Sequence, residues 1–108
     1  MVSATIDAAA LRHNLRQVRS CAPRSRVMAV VKANAYGHGL VVAARALASA
    51  DAFAVARVDE GLTLRRAGIA TRTVLLEGVF DAGQLAAAAA ERFELVVHCP
   101  EQIELLRA

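Results

Sequence analysis

The chain has 108 residues, 56% of them hydrophobic and 21% charged, and this length limits it to one small domain. The formal net charge of +3 comes from scattered arginines, without the basic stripe or block typical of a nucleic-acid interface. Aromatic residues make up only 4% of the chain, which leaves no platform for stacking bases. No apolar run approaches the length of a membrane span, and the first residues lack the pattern of a signal peptide, so we expect neither.

Two cysteines, Cys21 and Cys99, lie far apart in the chain and have no spacing typical of a metal site. Isolated cysteines of this kind are typical of reduced, structural thiols. We therefore expect a cytoplasmic protein without a metal ion.

Apolar runs alternate with amphipathic segments along the chain. Strands are predicted over residues 2–6, 26–32, 52–56, 73–77 and 94–98. Helices are predicted from Asp7 to Cys21, from the Gly37–Gly39 loop to Ala50, from Asp59 to Gly68, from Asp81 to Arg92 and from Pro100 onwards. After the first strand these elements form four βα units, and strands that are apolar throughout favour a parallel sheet. The pattern fits a doubly wound sheet as well as the first half of a (β/α)8 barrel.

Lys32 is the only lysine among the 13 basic residues. It follows the apolar run Val27–Val31 and precedes a loop that contains Gly37 and Gly39. A lysine at the exit of a buried strand is partly desolvated, which favours the neutral and nucleophilic amine. Such an amine can bond covalently to a carbonyl group. The alternative is a solvated charge that closes a turn.

The segment around Lys32 carries the most specific motif of the chain. Residues 29–39 read Ala-Val-Val-Lys-Ala-Asn-Ala-Tyr-Gly-His-Gly. This uninterrupted run closely resembles the pyridoxal-phosphate attachment segment of the alanine racemase family. Further similarities to that family lie in Ile6-Asp7 with residues 10–15, in residues 53–56 with 59–61, and in residues 75–80. The resemblance covers essentially the whole chain, yet only the first third or less of a racemase.

The resemblance implies a fold and a domain organisation. The expected fold is α/β, the first part of a (β/α)8 TIM-type barrel with about four βα units after an N-terminal strand. Residues 1–6 would be that strand, which in the family is associated with a C-terminal β domain. Residues 7–108 would be the truncated N-terminal part of the cofactor-binding barrel. The family resemblance thus favours the barrel over the doubly wound sheet.

The resemblance also implies a reaction, the interconversion of L-alanine and D-alanine with pyridoxal 5'-phosphate as cofactor. Lys32 would hold the cofactor as an internal aldimine, and then act as one of two bases that exchange the α-proton in an external aldimine. The second base of the family is a tyrosine from the C-terminal domain of the neighbouring subunit in a homodimer. Because this domain is missing, we expect the truncated chain alone to be inactive. The bacterial enzyme would supply D-alanine for peptidoglycan or degrade it.

Other residues that follow the carboxyl ends of the predicted strands carry less specific signals of function. Tyr36 is expected, from the resemblance, to hydrogen-bond the cofactor phosphate; the alternative is a loop aromatic that packs on the barrel rim. Asn34 is interpreted as a loop residue that makes hydrogen bonds, and His38 as part of the loop architecture rather than a general base. His98 is interpreted as a hydrogen-bonded core histidine, and Glu77 as a hydrogen-bond acceptor of its loop.

Two other classes of function share a reactive lysine. A non-catalytic pyridoxal-phosphate homeostasis protein of the same barrel fold would carry Lys32, but that class lacks the sequence found at residues 36–39. A class I aldolase would explain Lys32 without a cofactor, although not the resemblance to a phosphate-binding loop. The sequence therefore predicts a racemase, with the homeostasis protein as the alternative.

Overall fold

The computed structural model describes residues 6–36 and 39–107, without the side chain of Tyr36. The elements in these ranges are α1 (Ala8–Cys21), β1 (Met28–Val30), α2 (Lys32–Tyr36), α3 (Leu40–Ala46), β2 (Ala52–Val55), α4 (Val58–Arg66), β3 (Thr73–Leu75), α5 (Ala82–Ala90), β4 (Glu94–Leu95) and α6 (Pro100–Arg107). The alternation of strands and helices predicted from the sequence is confirmed. None of the helices in the described ranges is long and apolar enough to cross a membrane.

The strands are shorter than the apolar runs that predicted them. β1 ends at Val30, whereas the apolar pattern extends to Lys32, which instead begins α2. The predicted strand over residues 2–6 lies almost entirely outside the described residues, and Ile6, its last residue, is not in a strand.

The four strands form one parallel sheet in the order β1-β2-β3-β4. The register pairs Met28 with Ala52, Phe53 with Thr73, and Val74 with Glu94. In a doubly wound sheet the strand order reverses at a switch point, whereas strands in a barrel follow one another in sequence. The uninterrupted order therefore favours the barrel.

The sheet has one face covered by helices. Phe53, Val55 and Leu75 are fully buried in the main hydrophobic cluster, together with Leu15 of α1 and Leu64 of α4. Burial of such side chains stabilises the layer by roughly 1.5–3 kcal/mol each.

The other face of the sheet is open at β1. Met28 and Val30 point to this face and are 48% and 42% exposed. In a closed barrel this face would be the interior, which side chains from all the strands fill.

Two predicted helix caps are confirmed. The Asp7 carboxylate accepts a hydrogen bond from the Ala10 N–H at 3.1 Å, and the Asp81 carboxylate accepts one from the Gln84 N–H at 2.7 Å. The prediction that Asp59 leads α4 was wrong by one residue, because the helix begins at Val58.

At the amino ends of the strands, Asp51 joins α1 to β1. Its carboxylate accepts a hydrogen bond from the Val27 N–H at 2.6 Å and lies 3.2 Å from the Arg19 guanidinium. Arg19 also donates to the carbonyl oxygen of Ser49. The hydrogen bond from Val27, reinforced by Arg19, lowers the pKa of the Asp51 carboxyl below its ordinary value of 3.8. In barrels this end of the sheet serves stability.

Candidate active site

The carboxyl ends of the parallel strands meet at one edge of the sheet, where barrel enzymes place their functional groups. Lys32 lies at this edge, two residues after the end of β1, and its side chain is half-buried. Its neighbour Val31 is buried and donates from its N–H to the Ala54 carbonyl oxygen at 2.8 Å. This bond extends the pairing with β2 up to Lys32, and so fixes the start of the loop.

The residues that follow Lys32 form a left-handed helical turn. Ala33, Asn34 and Ala35 have φ values of 54°, 57° and 55°. In a left-handed helix each L-residue costs roughly 1–2 kcal/mol, and only glycine visits this region routinely. Backbone strain of this kind persists only where the surrounding structure holds it, and it concentrates at functional sites.

Hydrogen bonds hold the left-handed turn on both sides. Ala35 is buried, and its N–H donates to the Val31 carbonyl oxygen at 2.8 Å. The Asn34 carbonyl oxygen accepts from the Gly39 N–H at 2.9 Å. The side-chain Oδ1 of Asn34 accepts from the Leu40 N–H at 2.8 Å. The turn is thus tied to β1 before it and to α3 after it.

A groove of about 430 Å³ lies beside the turn and is lined by residues that include Asn34, Leu40, Asp59 and Thr63. Lys32 is not among its lining residues.

The loops after β2, β3 and β4 share one hydrogen-bonding arrangement. In each, a side-chain oxygen in the first turn of the next helix accepts a hydrogen bond from the backbone N–H four residues earlier, at 2.8 Å. The pairs are Glu60 with Ala56, Gln84 with Phe80, and Gln102 with His98. In each pair, a side chain near the helix start reaches back to the backbone before the helix, as in a capping box, and gives an N–H group of the loop its acceptor.

The exits of β3 and β4 are also joined to each other. Gln102 is 2% exposed, and its Nε2 donates to the Glu77 carbonyl oxygen at 2.8 Å. The His98 Nε2 lies 3.0 Å from the same oxygen, so this ring nitrogen carries the proton and donates. The prediction that His98 is a core histidine was wrong, because its side chain is exposed at the open edge of the sheet. The interpretation of Glu77 as an acceptor is consistent with these bonds, which its backbone carbonyl accepts.

The two residues predicted to hold the cofactor belong to the same turn. α2 contains Lys32 and Tyr36, although the side chain of Tyr36 lies outside the described residues. Gly37 and His38 also lie outside them. Gly39 has a φ of 92°, a backbone conformation that glycine adopts without strain.

The interpretation of Asn34 as a hydrogen-bonding loop residue is confirmed, because it accepts hydrogen bonds from the Gly39 and Leu40 N–H groups. Its left-handed backbone was not predicted, although asparagine tolerates this region better than most residues. Gln102 drew no prediction, although a glutamine just after the start of a helix is a known capping residue.

The parallel sheet and the lysine at its carboxyl edge define the class of this protein: it is the beginning of an α/β barrel that carries a lysine after its first described strand. The family described as "Alanine racemase, N-terminal domain" matches residues 6–108. The chain belongs to this family, and its fold is α/β, the start of a TIM barrel.

Curated relatives agree with the family match. The chain is 58% identical over 103 residues to an alanine racemase of Nitrosococcus oceani, covering 95% of this chain and 29% of the relative. It is 54% identical over 101 residues to the biosynthetic alanine racemase of Escherichia coli strain K12, covering 94% of this chain and 28% of the relative.

Solved structures show the same similarity. Alanine racemase from Acinetobacter baumannii matches with a TM-score of 0.91 and 42% identity, over 94% of this chain and 30% of that chain. The biosynthetic alanine racemase from Pseudomonas aeruginosa matches with a TM-score of 0.89 and 43% identity, over 94% and 29%. The chain therefore spans less than a third of the length of these relatives.

Proposed function

We propose that this chain is the lysine-bearing first part of a bacterial alanine racemase, an isomerase that interconverts L-alanine and D-alanine with pyridoxal 5'-phosphate. The observation that carries the proposal is Lys32, a half-buried sole lysine at the carboxyl edge of the sheet, in a chain of this family. Residues 7–108 are proposed as the start of the barrel, and residues 1–6 as a strand that associates with a C-terminal β domain. The complete enzyme is proposed to be a homodimer, either supplying D-alanine for peptidoglycan or degrading it.

The residues at this edge fit a cofactor that carries an aldehyde. Lys32 supplies a primary amine whose side chain is partly shielded from water, and its backbone is held on both sides by Val31 and the left-handed turn. Shielding and a fixed backbone are what a lysine needs to bond to a carbonyl carbon. We assign the amine of Lys32 to the aldehyde and the hydroxyl of Tyr36 to the phosphate of the cofactor.

The reaction assigns a second task to Lys32. When bound, pyridoxal phosphate supplies the electron sink that makes the α-hydrogen of an amino acid acidic. The Nζ of Lys32, once free of the cofactor, would remove or return this proton on one face of the substrate. The opposite face needs a second base. The resemblance to alanine racemases implies that this base is a tyrosine of the neighbouring subunit. Tyr36, the one tyrosine of the 108 residues, is assigned to the phosphate, so we propose that the second base comes from a part of the enzyme outside these residues.

The free thiols Cys21 and Cys99 support our expectation of a cytoplasmic location.

A chimera tests the proposed function. Residues 6–107 would replace the matching segment of the Escherichia coli biosynthetic alanine racemase, which is 54% identical. We expect the chimera to bind pyridoxal phosphate covalently at Lys32 and to racemise alanine. The matched controls are Lys32→Ala and Lys32→Arg, of which the second keeps the charge without a nucleophile. Both should lose the covalent bond and the activity.

The possible results separate the function classes. Borohydride reduction followed by peptide mass mapping locates the cofactor, and finding it on another lysine would refute the assignment of Lys32. A chimera that holds the cofactor on Lys32 without racemising alanine would favour a non-catalytic cofactor-binding protein. A folded chimera without cofactor would refute the proposal.

A further inference from the structure

Asn34 lies two residues after Lys32, at the centre of the left-handed turn. We propose that Asn34 is a positioning residue, whose side chain holds this turn and thereby fixes where the Lys32 amine lies. The inference rests on the proposed function, since the placement of the amine matters only if Lys32 bonds to an aldehyde. Two observations carry it. The Asn34 side chain accepts a hydrogen bond from the Leu40 N–H, and the turn that this bond connects to α3 has a strained, left-handed backbone.

The side chain of Asn34 takes the place of the helix cap that α3 lacks. α3 begins at Leu40, and the preceding residue, Gly39, has no side chain that could accept a hydrogen bond from the first turn. The Oδ1 of Asn34 reaches the Leu40 N–H from six residues earlier, at a partly buried position. A helix start without such an acceptor leaves its first N–H groups unpaired. Asn34 is thus the cap of α3 as well as the centre of the turn.

The cap ties the turn to the rigid part of the molecule. Leu40, Ala43 and Ala44 of α3 are buried in the main hydrophobic cluster. On the other side of Lys32, Val31 is fixed to β2 through its bond to Ala54. The Lys32 backbone is therefore held from both directions. Loss of the Asn34 side-chain bond would weaken the connection to α3, since the backbone bond from the Gly39 N–H would remain, and the amine would sample more positions.

Covalent labelling of the 108-residue chain measures the placement of the amine. The Nζ of Lys32 adds to the aldehyde carbon of pyridoxal phosphate, a C=N bond forms, and the aldehyde oxygen leaves as water. Borohydride then delivers a hydride to the carbon and leaves a stable C–N bond. Since Lys32 is the only lysine, every label on an ε-amine reports this residue. The α-amine of Met1 serves as the internal reference for mass spectrometry.

The decisive variant is Asn34→Gly, because glycine adopts the left-handed backbone freely but has no side-chain acceptor. We expect its labelling at Lys32, relative to the α-amine, to fall about tenfold. The matched control is Asn14→Gly, the same change at an exposed position of α1, which weakens a helix and should leave the labelling unchanged.

Hydrogen exchange provides a second readout that does not depend on the cofactor. The Leu40 amide should exchange faster in Asn34→Gly than in the wild-type chain. Asn34→Asp keeps an acceptor oxygen and should keep the Leu40 amide protected. Asn34→Asp is measured by exchange alone, because its charge would repel the anionic cofactor.

The outcomes distinguish this inference from the proposed function. If the wild-type chain is labelled at Lys32 and Asn34→Gly is labelled equally, the positioning role is refuted. Unchanged exchange at Leu40, or an equal loss of labelling in Asn14→Gly, would refute it as well. If neither the wild-type chain nor the chimera with the Escherichia coli enzyme is labelled at Lys32, the proposed function is overturned, and this inference with it.

Discussion

Gln102 donates a hydrogen bond from its side chain to the backbone carbonyl oxygen of Glu77, at 2.8 Å and across 25 positions of the chain. With its oxygen Gln102 accepts from the His98 N–H, so one buried amide joins the exits of β3 and β4. Gly78 makes the approach possible, because a Cβ at this position would lie 2.6 Å from the Gln102 Nε2 and 2.5 Å from the Val96 carbonyl oxygen.

Replacing Gln102 by leucine should destabilise the chain by about 2 kcal/mol, because the His98 N–H loses its acceptor and the Glu77 carbonyl oxygen loses one of its two donors, keeping the His98 ring nitrogen. The midpoint of urea unfolding measures the loss. Gln84→Leu is the matched control, because it removes the hydrogen bond from the Phe80 N–H at an exposed position, so its loss should be smaller. Equal unfolding midpoints for Gln102→Leu and the wild type would contradict this account.

Gly61→Ala should also be destabilising, by about 1–3 kcal/mol. The new Cβ would lie 2.7 Å from the Phe93 ring, which is buried and has the Arg65 guanidinium 4.9 Å above its centroid. This crowding outweighs the gain in helix propensity, which is about 1 kcal/mol. The control is Gly83→Ala in α5, where the nearest atom lies at 3.4 Å and propensity should raise the melting temperature. A stabilised Gly61→Ala would show that the ring can move aside.

Asp51→Asn should lower the melting temperature at neutral pH and lose this effect in acid. The pKa of Asp51 is lowered in the folded chain, chiefly by the hydrogen bond from Val27. A lowered folded-state pKa gives stability that is present above the unfolded value and disappears as the pH falls through the folded value. The gap in melting temperature between wild type and variant should therefore close below pH 3.8. A gap that is constant from pH 7 to pH 2 would contradict the linkage.

Tyr36→Phe, made in the chimera with the Escherichia coli enzyme, should weaken cofactor retention while the bond to Lys32 still forms. A hydrogen bond to a charged phosphate contributes about 1.5–3 kcal/mol, so affinity should fall about ten- to a hundredfold. Dialysis followed by absorbance spectroscopy measures the retained cofactor. Equal retention in mutant and wild type would disprove the phosphate role.

The 108-residue chain with added pyridoxal phosphate should not convert L-alanine to D-alanine. Its single tyrosine is assigned to the phosphate, which leaves no tyrosine for the second face of the substrate. Chiral chromatography of the product measures the conversion. A chain that racemises alanine by itself, and loses this activity in Lys32→Ala, would refute the two-base proposal.

Much of the fold could be predicted from local sequence, because its signals lie within a few residues of one another. The caps Asp7 and Asp81 and the strand cores around Phe53 and Val74 are examples. The link from Gln102 to Glu77 could not be predicted, since it depends on how β3 and β4 pair.

The candidate site was predicted in part. The motif drew attention to Lys32, while the left-handed turn after it contradicts the backbone preference of alanine at residues 33 and 35. Tertiary contacts with α3 outweigh that preference. The exposure of the His98 side chain was not predicted, because the apolar run before it does not show whether other elements cover this end of the sheet.

The hydrogen bonds that Glu60, Gln84 and Gln102 accept from the N–H groups four residues earlier have a consequence for recombination within this family. Both partners of each pair lie within five consecutive residues. The end of a strand, its loop and the first turn of the next helix should therefore be exchanged together when two relatives are recombined. Crossovers placed late in a helix should keep these pieces intact, whereas crossovers inside residues 56–60, 80–84 or 98–102 would separate the partners. Gln102 is the exception, because its second bond also requires the matching exit of β3 from the same parent.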